Sequence, residues 1–204
     1  MKRIIFLASL IIMATSPVCG QNSRESSGEV CTSAVAQKID IRGVRLGMSL
    51  DQVLALFPGS RENPEVRFAL ERAKSETNYG TMSLQLYPSY YGLKEKYAGI
   101  WMFGLGFLDE RVVSLYVNYS GPEWRSVDEF VAKLAEAFDL PKEKVWKDGG
   151  ERTKALTCGD LQFRVYAAPG NGSNTFHIHS FSAERVVSER RAEAKERERR
   201  AFKP

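Results

Sequence analysis

The chain predicts an α+β domain in which two amphipathic helices pack on antiparallel sheet. Two stretches carry matched helix-start signals and each ends at a proline. Several short runs between them alternate apolar and polar residues with the period of a half-buried strand. Apolar residues make up 43% of the 204-residue chain, enough for one domain with its own core.

Met1 to Gly20 has Lys2 and Arg3, an apolar run from Ile4 to Met13, and small residues after it. That is the pattern of a secretory signal peptide, and the run is too short for a stable membrane anchor. Val18-Cys19-Gly20 suits cleavage after Gly20. The rival reading lipidates Cys19, but Ser16-Pro17-Val18 is a poor lead-in for that. The expected location is therefore periplasmic or extracellular. Losing Lys2 and Arg3 takes the formal charge from +4 to +2, too little for the dense basic face of a nucleic-acid binder. Residues 21–38 read as a flexible arm, Ser-rich at first, with a short ordered piece from Cys31 to Lys38. Cys31 and Cys158 are the even pair left in an exported chain, and a disulfide between them is expected.

A single domain spans 39–183. Ser49 and Gln52 form a capping box, Met48 can staple onto Val53, and Leu50, Val53, Leu54 and Phe57 make one buried helix face. Pro58-Gly59 stops it. Val66, Phe68 and Leu70 alternate with Arg67, Ala69 and Glu71, which predicts a strand. Across the turn at Asn78-Tyr79-Gly80 its partner carries Met82, Leu84 and Leu86. Tyr87 to Tyr97 is a tyrosine-rich loop. Ile100 to Phe107 places Trp101, Phe103, Leu105 and Phe107 on one face, with Gly104 and Gly106 opposite. After a turn at Asp109-Glu110, Val113, Leu115, Val117 and Tyr119 point inward.

Gly121-Pro122 breaks the pattern. Ser126 and Glu129 form another capping box, and Val127, Phe130, Val131, Leu134 and Phe138 give the second helix its apolar stripe. Ser49-Leu-Asp-Gln-Val-Leu-Ala and Ser126-Val-Asp-Glu-Phe-Val-Ala agree position by position. This predicts tandem helix-then-strands units, about 41–120 and 121–183. The second set of strands is Arg152–Cys158, Leu161–Ala167 after Gly159-Asp160, and Thr175–Ala183 after a long turn from Pro169 to Asn174. Residues 184–204 are nearly all Glu, Arg, Lys and Ala, with Glu193–Arg197 and Glu196–Arg200 pairs. They predict a solvated helix that projects from the domain.

Little here points to catalysis. His177 and His179 share a strand face, a geometry known among metal ligands. No third histidine exists, and Phe176 and Ile178 claim the buried side, leaving both imidazoles toward water. A thiol hydrolase would need Cys158 free beside them. The Asp109-Glu110 carboxylates read as turn chemistry. No phosphate-binding or dinucleotide glycine pattern occurs, and no cofactor is called for. Asn118-Tyr-Ser and Asn171-Gly-Ser match the glycosylation acceptor pattern, but the leader has a bacterial character and use of either is not expected. Tyr87, Tyr90, Tyr91 and Tyr97 are the binding candidates, since tyrosine supplies contact area at low entropy cost.

Gly47-Met48-Ser49, followed by Val53, Leu54 and Phe57-Pro58-Gly59, resembles the helix entry of small bacterial envelope proteins. Those are the SmpA/OmlA lipoproteins of outer-membrane assembly and the similarly folded beta-lactamase-inhibitor-protein group. The resemblance implies helices paired with antiparallel sheet and a non-enzymatic scaffold. It carries no site residues across. The expectation is an exported module that binds a protein or envelope component, with a metal-dependent or thiol hydrolase using His177, His179 and Cys158 as the alternative.

Overall fold

The computed structural model describes residues 31–168 and 173–202. The signal segment, Cys19, the start of the arm and Asn171 lie outside the described residues. Among the described residues seven antiparallel strands form one sheet: β1 (Thr81–Leu86), β2 (Ile100–Leu108), β3 (Arg111–Ser120), β4 (Lys147–Asp148), β5 (Thr153–Cys158), β6 (Leu161–Ala168) and β7 (Ser173–Ser180), in the order β1-β2-β3-β7-β6-β5-β4. The two meanders meet through their last strands, β3 against β7. Among the described residues five helices accompany the sheet: α1 (Ser33–Ala36), α2 (Leu50–Ala55), α3 (Pro64–Ala73), α4 (Val127–Phe138) and α5 (Phe181–Ala201). Each half of the sheet is thus preceded by a capped amphipathic helix, α2 or α4.

Both caps form. Gln52 N–H donates to Ser49 Oγ at 3.2 Å while Ser49 N–H donates to Gln52 Oε1 at 2.8 Å. Glu129 N–H donates to Ser126 Oγ at 3.2 Å. Such a cap contributes about 1 kcal/mol. The apolar sides of both helices cover one face of the sheet. There the register aligns Leu84, Leu105, Leu115, Ile178, Phe163 and Leu156 in a row across six strands, all buried. Phe57 on the α2 side meets Phe103 edge-on at 5.9 Å, and Phe138 of α4 stacks on Phe176 at 5.6 Å.

The Cys31–Cys158 disulfide is present and closes a separation of 127 residues. Ser33 reinforces it: Asp160 N–H donates to Ser33 Oγ at 3.0 Å. Gly159, at φ +59°, leaves room for that hydroxyl, because a Cβ there would lie 2.0 Å from it.

Several expectations need correction. Residues 66–70 are helical, not a strand. Asn63 caps α3, accepting from Glu65 N–H at 2.8 Å, with Pro64 in the first turn. Val66, Ala69 and Leu70 face the core at helical spacing, and the alternation of Val66, Phe68 and Leu70 is incidental. β1 therefore pairs with β2. In β2 a register shift between Ile100 and Met102 sends Ile100 inward and leaves Trp101 exposed. A second shift, at Gly106/Phe107, makes Val112 the buried residue in place of Val113. The last strand ends at Ser180, and α5 starts at Phe181, three residues before the expected helix.

α5 does not simply project. Asp160 receives hydrogen bonds from Ser180 Oγ at 2.7 Å, Ser182 N–H at 2.9 Å and Ser182 Oγ at 2.6 Å, and these hold its carboxyl below the usual range. Further along, Arg190 donates two bonds of 2.7 Å to Asp109 and one of 3.0 Å to the Tyr79 carbonyl. Asp109 and Glu110 both have positive φ, the backbone of a tight two-residue hairpin turn. The turn carboxylate thus ties the hairpin tip to the helix.

Candidate functional site

Alternation that sends Leu and Phe inward sends their neighbours outward, so the outer face can be read strand by strand. One row is Gln85, Gly104, Tyr116, His177, Arg164 and Ala155. A second is Ser83, Gly106, Ser114, His179, Gln162 and Thr157. A third is Met102, Asn118, Thr175, Tyr166 and Thr153. The first row continues across Ala155 to Lys147 on the edge strand β4, and Arg164 and Lys147 are the only Arg, Lys, Asp or Glu in these rows, although such residues make up 26% of the chain.

α5 covers one end of this face. Its Ala183, Glu184, Val187, Ser188 and Arg191 enclose, with Ser83, Gly106, Ser114, His177 and His179, a groove of about 390 Å³. The helix is why the two histidines are not open to water. His177 is half-buried, and its Nε2 lies 2.9 Å from Ser114 Oγ. Burial, then His179 and Arg164, lower its pKa to about 4, so it is neutral near pH 7. The side chain of His179 is 12% exposed, its Nε2 lies 3.6 Å from Glu184 Oε1, and its buried Nδ1 has no hydrogen-bond partner.

Chemically this cluster offers a hydroxyl–imidazole contact and little more. An imidazole with so low a pKa is a poor base near neutrality. Cys158 is buried and disulfide-bonded, so it supplies no thiolate and the thiol route falls. Among the described residues, no three His, Cys, Asp or Glu side chains converge as a metal site would require.

The tyrosine loop divides. Tyr97 is fully buried and stacks on Phe57 at 5.3 Å. Tyr91 is half-buried, edge-on to Phe57 at 5.8 Å, and burial, then Glu65, raises its pKa. These two belong to the core. Tyr87 and Tyr90 stack on each other at 4.9 Å, and Trp101 meets Tyr87 edge-on at 5.3 Å. Tyr90 is 66% exposed and Trp101 52%. Tyr87 Oη lies 3.1 Å from Gln85 Oε1, which places the trio at the corner of the outer face that α5 leaves open. Trp101 is the member that sequence reasoning missed, since nothing in the letters marks the bulge that turns it outward.

Comparison with family models, curated proteins and solved structures finds no match to this chain.

Proposed function

We propose that this chain is an exported, non-enzymatic module that binds a component of the cell envelope through the open part of its outer sheet face. The observation that carries the reading is the exposed Tyr87–Tyr90–Trp101 cluster beside a sheet face with almost no charge. Exposed aromatic rings clustered on a surface are characteristic of recognition sites, and a solvated face without a partner ordinarily carries mixed charge. The signal-like leader and the disulfide support export. No described helix is long and apolar enough to cross a membrane.

The test compares capture from a solubilised envelope fraction by the wild-type chain and by a Tyr90→Ala/Trp101→Ala variant. Specific recovery should fall several-fold in the variant. Equal recovery would remove this corner from the account.

A further inference from the structure

We infer that the open end of the outer face binds a neutral polysaccharide strand; this rests on the binding reading above and specifies its ligand. The argument starts from charge. An anionic partner, such as nucleic acid or a phospholipid headgroup, is held by clustered Lys and Arg. The three outer rows hold two, Arg164 and, at the far edge strand, Lys147, too few to make a cluster. A cationic partner needs carboxylates, and these rows hold none. A lipid tail or apolar helix needs a continuous apolar strip, but the exposed apolar rings stand apart, Tyr90 and Trp101 at one corner and Phe181 against His179 under the helix end.

What the face does offer is uncharged hydrogen-bonding groups on a rigid sheet. Gln85, Asn118 and Gln162 carry amides, and Thr157, Tyr116 and Tyr166 carry hydroxyls. Each amide or hydroxyl can both donate and accept, as a sugar hydroxyl requires of its partner. Flat rings complete the match. A pyranose has an apolar C–H side that packs on an aromatic face while its rim hydroxyls stay free for polar contacts, and Tyr and Trp combine an apolar body with a polar tip in the same way. Tyr90 and Trp101 present exposed rings at one end. Tyr116 extends the surface inward, beside Gly104 of the neighbouring strand.

The experiment titrates the full chain with two neutral probes, the hexasaccharides of N-acetylglucosamine and of glucose. Polygalacturonate and phosphatidylglycerol vesicles serve as charged alternatives. Binding is read by calorimetry and tryptophan fluorescence. At least one neutral hexasaccharide should bind, and Trp101→Ala should weaken it about tenfold, about 1.4 kcal/mol. Tyr90→Ala should act in the same direction and guards against a misfolded tryptophan variant. Three results would overturn the inference: no neutral sugar bound at millimolar concentration, binding indifferent to both aromatic variants, or binding confined to the charged probes and lost in Arg164→Gln. If sugars fail while envelope capture still depends on Trp101, the glycan assignment falls and the binding module stands. If capture is also indifferent, both fall.

Discussion

Phe163 and Phe176 face one way and their chain neighbours Arg164 and His177 the other, in the same two strands. On the inner side the residues form an unbroken apolar sheet under α2 and α4, tied together by stacked rings. On the outer side the side chains are mostly polar and uncharged, and one end is roofed by a helix held largely through hydrogen bonds and an ion pair. The contrast teaches that one sheet can assign stability to one face and leave the other free for contact. Substitutions on the inner face should change folding, and those at the aromatic corner should change binding alone.

The largest effect expected lies at the staple that closes the inner layer. Replacing Cys31 and Cys158 by serine releases a 127-residue loop in the unfolded chain. It should cost roughly 4–5 kcal/mol in urea unfolding. Reductant should lower the wild-type midpoint and leave the variant's unchanged. Next comes the inner face itself. Phe176 is fully buried between Phe138 and Phe163, so Phe176→Ala should cost about 3–4 kcal/mol in the same assay.

The groove under α5 gives a smaller and pH-dependent effect. The folded pKa of His177 lies near 4, below the unfolded value of about 6.5. Over that window the unfolded chain binds the extra proton, so stability declines as pH falls from about 6.5 to 4. His177→Gln should flatten this acid limb; an unchanged slope would show that the imidazole protonates freely in the folded protein. Smallest of all, Trp101→Ala should change stability by less than about 0.5 kcal/mol. A drop comparable to that of Phe176→Ala would show that the ring belongs to the core and would erase the distinction between the faces.

Much of the inner face could be read from the letters alone. Ser49–Gln52 and Ser126–Glu129 announced their helices because capping is local chemistry. Leu115 and Val117, or Phe163 and Val165, announced their strands because burial repeats every second residue. What escaped was either a cap overlooked, as at Asn63-Pro64, or a property that exists only between strands. The uncharged outer rows are invisible along the chain, because their members lie up to about ninety residues apart and adjoin only through register. The docking of α5 escaped for a similar reason. Arg190 reads as one more charge in a charged run until Asp109 is placed opposite it.

The slip in β2 bears on any alignment of this chain with its relatives. Ile100 and Phe103 both turn inward because Trp101 and Met102 together fill a place that one residue would occupy in a regular strand. Under strict alternation the indole would be driven inside and isoleucine left outside. A tryptophan retained in an aligned sequence is thus no guarantee of a shared surface; the number of residues around it decides which layer it joins.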